Sequence, residues 1–361
     1  MITFQKASVG FVLLSAGVSF ALFARSASGA QVGNPTSPRV SVLTPASLPY
    51  SDAHTHIDQH DPEGAVTLLL SAMGKLNAVK AYIQTEPYGP DNLARWDIET
   101  VLTAVKKHQD KLAVLGGGGT LNPMILEAYR TGNAGPDVQK RFRQRAEEIL
   151  RQGAAGFGEL SIEHLSLPQS PVKDYEYAPA DSALMLLLAD IAAEHRVPID
   201  LHMEEVPQTM PTPAEYGPPN PPELHGNIAA FERLLAHNRQ ARIIWAHAGS
   251  DNIGYRTPDL CRRLLKAHPN LYMEIKFDPG FPGKNPPIVD GKLLPEWLSL
   301  FSDFPARFII GSDQHFDPPA TAPLARAQQN ALLLKTAPGR SQRKDRFIQC
   351  PSDLRTINLL S

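Results

Sequence analysis

Residues 50–56 read Tyr-Ser-Asp-Ala-His-Thr-His, and this stretch closes the first predicted strand of the chain, at 48–56. Side chains alternate across a strand, so His54 and His56 are expected to point to the same side of the sheet. Two imidazoles placed in this way can share one cation. A His-x-His pair alone is weak evidence for a metal site, because chance or packing explains most such pairs. Further ligands have to come from elsewhere in the chain.

Beyond this stretch, short apolar runs alternate with longer segments of helical periodicity. This alternation predicts parallel β-α-β units. Over about 280 residues it matches the size of a closed (β/α)8 TIM-type barrel, an α/β fold. A doubly wound open sheet is the alternative, which periodicity cannot separate from the barrel. We predict strands at 48–56, 78–84, 112–116, 156–160, 198–203, 243–248, 271–276 and 307–312, and helices at 92–108, 138–152, 181–195, 227–238, 258–267 and 293–301.

Three proline-rich stretches follow predicted strands directly, at 206–222, 279–295 and 318–323. In a parallel barrel the segments after the strands emerge on the C-terminal face, where such enzymes keep their active sites. Long loops stiffened by proline at that face are interpreted as a rim or lid over a pocket. Surface decoration is the alternative.

Ligand-type residues interrupt three further apolar runs at their C-terminal ends: His202, His247 and Asp313. A lone histidine of this kind is usually a structural core residue. Four histidines and an aspartate at equivalent strand ends would be costly to bury together unless a divalent cation paired them. The set therefore predicts a metal site at the barrel mouth.

This ordered set of residues, spanning 52–313, resembles the metal ligands of the amidohydrolase superfamily, and segments 50–56 and 308–315 look most like its amidohydrolase-2 branch. The resemblance implies a distorted (β/α)8 barrel rather than an open sheet. By similarity, His54, His56 and Asp313 would hold a first metal, and His202 and His247 a second. Glu159, in the run Gly-Phe-Gly-Glu-Leu at 156–160, stands where a bridging carboxylate would lie. The alternative is that Glu159 is an ordinary pocket carboxylate, since mononuclear members need no bridge.

The resemblance implies a metal-dependent hydrolase that cleaves an amide, ester, lactone or phosphoester bond of a small molecule. Metal coordination lowers the pKa of a bound water toward ~7, and Asp313 would act as general base and then as general acid. One or two divalent ions are expected; zinc suits the ligands, although Mn, Fe, Co or Ni could replace it. His315 and Arg256 are candidate substrate-binding residues. Other polar residues near the strand ends are weaker candidates: His164, Glu204, Glu205, Lys276 and Asp278.

Two alternatives keep the same scaffold. One is a mononuclear metal-dependent decarboxylase or hydratase, for which Glu159 would be unnecessary. The other is a non-catalytic metal-binding barrel, against which the base-type Asp313 argues. The formal net charge of −2 and the absence of a long basic run give no indication of nucleic-acid binding.

The N-terminal residues 1–30 have the features of a signal peptide: Lys6, an uncharged apolar run at 9–24, and small residues before Gln31. An uncleaved anchor is the alternative, but the run is shorter than the ~20 residues that a spanning helix needs. We therefore expect an exported protein, periplasmic or secreted, with no membrane association after cleavage. A leader at 31–47, a barrel at 48–335 and a C-terminal tail at 336–361 would follow. Cys261 and Cys350 could be bridged or free, and the sequence does not decide between these states or indicate an oligomeric state.

Overall fold

A computed structural model of the chain describes residues 49–92, 96–168, 174–278, 283–319 and 324–328. The predicted signal peptide, leader and C-terminal tail, together with Cys350, lie outside these residues, and Cys261 is a buried free thiol. Around the barrel, parallel strands alternate with helices, and the described loops add five two-residue strands that pair antiparallel. The barrel strands are β1 (Tyr50–Ile57), β2 (Ala78–Gln84), β3 (Leu112–Gly117), β4 (Gly156–His164), β5 (Pro198–Met203), β6 (Arg242–Ala248), β7 (Leu271–Ile275), β8 (Phe308–Ile310) and β9 (Gln314–Phe316).

The eighth barrel strand closes the sheet, and it does so in two pieces, one paired with the seventh strand and the other with the first. β8 pairs with β7, placing Met273 opposite Phe308, and β9 pairs with β1, placing Thr55 opposite Gln314. Between the pieces, the backbone N–H of Asp313 donates to the carbonyl oxygen of His54 at 2.8 Å. The closed (β/α)8 barrel is therefore the fold, and the open sheet is excluded.

The helices that cover the barrel are α1 (Pro62–Leu76), α2 (Ile98–Lys106), α3 (Leu121–Thr131), α4 (Pro136–Gln152), α5 (Ala183–His195), α6 (Ile228–His237), α7 (Pro258–Ala267) and α8 (Pro295–Asp303). The sequence prediction lacked α1 and α3, and it began α2 six residues too early. Asp97 explains that last difference, since its side chain accepts from the N–H of Ile98 and so caps the helix there. A helix start at Pro258 was predicted correctly, because Thr257 caps it through the N–H of Leu260.

The first proline-rich stretch packs into the C-terminal face of the barrel. Its side chain Tyr216 is buried in a small apolar cluster with Leu165, Leu224 and Ile253, and the Tyr216 hydroxyl donates to the carbonyl oxygen of Asn252 at 3.1 Å. This stretch is therefore part of a packed rim, as predicted, and not surface decoration. The other two proline-rich stretches lie partly outside the described residues. Among the described residues, no helix has the length and apolar character required to cross a membrane.

Candidate metal centre

His54 and His56 meet at the centre of the barrel mouth. Their Nε2 atoms are 3.0 Å apart. The Nδ1–H of His54 donates to the Glu274 carboxylate at 2.7 Å, and the Nδ1–H of His56 donates to the carbonyl oxygen of Gln84 at 3.1 Å. Because carboxylates and carbonyls only accept, each Nδ1 carries the proton of the neutral ring and each Nε2 bears a lone pair. Two lone pairs that face each other at this distance require a cation or an additional proton between them.

Glu159 lies between two pairs of histidines. Its Oε2 is 3.6 Å from Nε2 of His54 and 3.5 Å from Nε2 of His56. Its Oε1 is 3.0 Å from Nδ1 of His202 and 3.1 Å from Nε2 of His247. One carboxylate thus divides its two oxygens between the two pairs, which is the arrangement that a bridging ligand needs.

Asp313 completes the group around the first pair. Its Oδ1 lies 3.2 Å from Nε2 of His56, and its Oδ2 accepts from Nζ of Lys276 at 2.5 Å and from Nη1 of Arg326 at 3.2 Å. Ligand atoms of His54, His56 and Asp313 all lie within 4.8 Å of one another, as do those of His54, Glu159 and His247. The structure therefore brings together the six residues for which the sequence predicts metal binding.

Two buried carboxyl groups below these ligands were missed as site residues in the sequence prediction. Glu274 in β7 binds Nδ1 of His54, and its second oxygen lies 3.6 Å from Nδ1 of His247. Asp200 in β5 lies 3.6 Å from Nδ1 of His54. A signal was available for Glu274, because it is a single carboxylate within the apolar run Leu-Tyr-Met-Glu-Ile at 271–275. Such a residue faces the barrel interior and needs a partner there.

Close packing fixes the position of Glu274. A Cβ atom on Gly311 would lie 2.4–2.6 Å from three side-chain atoms of Glu274. Only glycine therefore fits between β7 and the site at this point. This contact explains why the eighth strand carries glycine directly before Ser312 and Asp313.

The charges of the site follow from these contacts. Burial alone would lower the pKa of His54, but the carboxylates of Glu274, Asp200 and Glu159 raise that pKa well above its usual value. Burial would likewise lower the pKa of His56, and Glu86 together with the hydrogen bond to Asp313 raises it to about 9.

The pKa values of two carboxyl groups are lowered, whereas that of a third is raised. Burial would raise the pKa of Glu159, but His54 and the hydrogen bonds from His202 and His247 hold it well below its usual range. Burial also opposes ionisation of Glu274, yet His54 and His247 lower its pKa to about 2. Asp200 has weaker compensation, and burial raises its pKa to about 8. These shifts favour protonated His54 and His56 beside ionised Glu159 and Glu274, whereas burial and the charge of Lys276 lower the pKa of His247.

Two of the predicted ligands have left-handed backbone conformations, which non-glycine residues seldom adopt. The φ angle is 65° at His247 and 50° at Asp313. Such conformations cost on the order of 1–3 kcal/mol each and persist where the surroundings enforce them. Here the barrel ladder ends, and the turn directs each side chain inward to the centre.

His315 stands at the open side of the centre. Its ring stacks on that of His56 with centroids 4.6 Å apart, and its Nδ1 lies 3.3 Å from Oε1 of Glu86. The side chain is 42% exposed, so a substrate could reach it. Glu86, in the loop after β2, was not among the residues singled out from the sequence.

Arg256, the other candidate substrate residue, is directed away from solvent. Its guanidinium is buried, with Nε donating to Glu205 at 3.1 Å and Nη1 and Nη2 donating to the carbonyl oxygens of Ala246 and Met203 at 2.5 Å each. Nε, Nη1 and Nη2 of the guanidinium thus all donate to acceptors within the protein. They favour a structural role over the anion binding for which it was a candidate.

The donor set fits a divalent metal. Each of the four histidines turns one nitrogen to the centre, and its second nitrogen faces an acceptor of the surrounding protein, as metal-binding histidines do. For His202 that acceptor is Glu204, 3.6 Å from Nε2. Imidazole nitrogens with carboxylates suit zinc and related transition metals.

No protein-family model and no curated protein sequence matches the chain. Among solved structures, it is similar to 2,6-dihydroxybenzoate decarboxylase from Rhizobium (11% identity, TM-score 0.47, covering 87% of this chain and 99% of that one). It is also similar to amidohydrolase 2 from Bifidobacterium longum subsp. infantis (13% identity, TM-score 0.45, covering 86% of this chain and 99% of that one). One of these two structures is named as an amidohydrolase 2, the group that segments 50–56 and 308–315 resemble in sequence.

Proposed function

We propose that the chain is a metal-dependent hydrolase of small molecules. The observation that carries this proposal is the position of Glu159, whose two oxygens are shared between the pair His54 and His56 and the pair His202 and His247. A single-metal centre needs no bridging carboxylate, whereas a centre with two ions does.

His54, His56 and Asp313 would hold one divalent ion and His202 and His247 a second, with Glu159 between them; zinc is the metal we favour. When bound, such ions supply an acidified water as nucleophile and polarise the oxygen of a carbonyl or phosphoryl group. The pKa of Glu159 lies well below its usual range, so this carboxylate is ionised and ready to bind cations at neutral pH.

Asp313 is ionised and placed to accept a proton at the centre. Burial would raise its pKa, but Lys276, the hydrogen bond from His56 and the charge of Arg326 hold that pKa well below its usual range. The ionised carboxylate would accept the proton of the attacking water at Oδ1, the oxygen on the side of His56. It would then deliver this proton to the leaving group. Lys276 on Oδ2 keeps the carboxylate oriented throughout.

His315 would contact the substrate from the open side, since it is exposed and lies next to both His56 and Asp313. We further propose that the protein is exported, on the strength of the signal-like residues 1–30.

The test is a substrate screen with the metal-loaded protein. Nitrophenyl esters, anilides, lactones and phosphoesters would report hydrolysis, and carboxylated aromatic acids would report release of CO₂. We expect turnover of at least one hydrolytic class, its loss on chelation and its return with a divalent metal. Asp313→Asn should lower kcat by at least ~100-fold. The matched variant Asp91→Asn, which only removes a surface ion pair with Arg130, should have no effect.

Two results would contradict the proposal. Release of CO₂ without any hydrolysis would replace it with the decarboxylase alternative. Full activity of Asp313→Asn would exclude Asp313 as the base.

A further inference from the structure

One buried guanidinium joins the two strands that carry the second histidine pair. Arg256 donates from Nη1 to the carbonyl oxygen of Ala246 and from Nη2 to that of Met203, both at 2.5 Å. Ala246 precedes His247, and Met203 follows His202. These two hydrogen bonds, which we call the Arg256 clamp, therefore hold the backbone directly beside His202 and His247.

The regular ladder between these strands ends before the histidines. The register of β5 on β6 runs from Pro198 opposite Arg242 to Leu201 opposite Trp245. His202 lies one residue and His247 two residues beyond that last pair, and His247 has a left-handed backbone. The pairing of β5 with β6 alone therefore does not set the distance between the two imidazoles. Beyond the last pair, the two strands are joined by the guanidinium and by the indole N–H of Trp245, which donates to the same carbonyl oxygen of Met203 at 2.8 Å.

Arg256 is itself held on several sides. Its Nε donates to Glu205 at 3.1 Å, its backbone N–H donates to Asp251 at 3.0 Å, and its guanidinium lies over the Trp245 ring at 4.3 Å. A planar fork held in this way can contact two carbonyls at once, which a lysine ammonium on a flexible stem does poorly.

We propose that Arg256 is a positioning residue that sets the spacing of His202 and His247 and thereby the affinity of the second cation, an inference that rests on the proposed two-pair centre. The first ion would be held by ligands from β1 and from the turn after β8, which the clamp does not join. Loss of the clamp should therefore weaken the second ion selectively.

The experiment is a titration of the chelator-treated chain with Co²⁺, whose visible spectrum reports ligand geometry, together with chelator competition for both affinities. We expect the wild type to bind two ions. In Arg256→Lys the first affinity should stay within about two-fold of the wild type, while the second falls by at least ~10-fold, as for other groups that orient metal ligands. The absorption bands of the second equivalent should change as well.

Glu205→Gln is the second variant, and it carries the test if Arg256→Lys does not fold. Because its amide oxygen can still accept from Arg256, we expect a smaller loss of second-ion affinity than in Arg256→Lys. The affinity for the first ion should again be unchanged. Arg263→Lys on α7 is the control, since Arg263 only pairs with Glu232 at the surface.

The outcomes separate the two proposals. Two ions in the wild type, with unchanged second-ion affinity in Arg256→Lys and Glu205→Gln, would overturn the positioning role alone. Equal weakening of both ions would also overturn it, because the clamp would then be a general structural contact. Fewer than two ions in the wild type would overturn the two-pair centre and the positioning role together.

Discussion

Replacing Glu274 with glutamine should weaken metal binding by altering the protonation of a histidine. Glu274 is fully buried, and its two oxygens face Nδ1 of His54 at 2.7 Å and Nδ1 of His247 at 3.6 Å. Because a carboxylate oxygen only accepts, it favours a proton on Nδ1 of each of these two rings. The Nε2 lone pair of each ring is then available for a metal. A glutamine has a single oxygen. That oxygen would go to the shorter contact, with His54, and the amide NH₂ would then face His247.

An NH₂ group at Nδ1 of His247 favours the tautomer with its proton on Nε2, and this tautomer cannot bind metal through Nε2. The variant also loses the negative charge that balances the cationic centre. Removal of a partner that orients a metal ligand typically costs about 10–100-fold in affinity. At 25 °C this corresponds to about 1.4–2.7 kcal/mol of binding free energy.

Chelator competition with Zn²⁺ would measure this change. The matched control is Glu163→Gln in β4, because Glu163 is also a buried carboxyl group but contacts Asn227 and Tyr175 instead of a histidine. We expect its metal affinity to equal that of the wild type. If Glu274→Gln bound zinc within about two-fold of the wild type, the orienting role assigned to Glu274 would be wrong.

Three further results are expected. First, the metal-free protein should lose stability as pH rises from 6.5 to about 9, because His56 has a folded pKa of about 9 against an ordinary 6.5 and its protonated form is stabilised in the fold. Urea unfolding at several pH values would show this loss, and a flat profile would contradict it. Second, Gly311→Ala should lower the free energy of unfolding by about 1–3 kcal/mol, since its Cβ would overlap Glu274. Gly74→Ala in α1, where a Cβ meets nothing within 4 Å, should instead raise it by about 0.5–1 kcal/mol; equal effects would refute the packing argument. Third, Glu163→Gln should be more stable than the wild type above pH 8 but not at pH 4, because burial raises the pKa of Glu163 to about 8 and its ionised form is disfavoured in the fold. Denaturation at the two pH values measures this difference, and no gain at alkaline pH would count against it.

Much of the fold could be predicted from the sequence because the signals are local. The strands Ala78–Gln84 and Pro198–Met203 have the predicted bounds, since each is a short, largely apolar segment between polar or helical segments. Helix α1 was readable but missed: its buried residues recur at helical spacing, after Asp61 as N-cap and Pro62 in the first turn.

The site could be predicted only as far as its residues stand at strand ends. His54 and His56 are recognisable from their spacing, but the role of Glu274 depends on a contact with a residue 220 positions away. Arg256 is a second residue whose role could not be predicted from its position in the sequence. Its place in a loop after a strand suggested substrate binding, while its partners on β5 and β6 are set by the three-dimensional fold.

The split eighth strand likewise has no local signal. Its interruption at Gly311–Asp313 follows from the hydrogen bond between Asp313 and His54, which forms only when the barrel closes. A strand at 307–312 was therefore a reasonable prediction that ended two residues too late for β8 and omitted β9.

The metal content of the chain from residue 31 onward, purified without chelator, tests the central claim most directly. Plasma mass spectrometry would be applied to the wild type and to Glu159→Ala side by side. The proposed bridging role of Glu159 predicts about two divalent ions per chain in the wild type and about one in the variant. About one ion in both proteins would remove Glu159 from the ligands, and no tightly bound metal after reloading would contradict the metal centre itself.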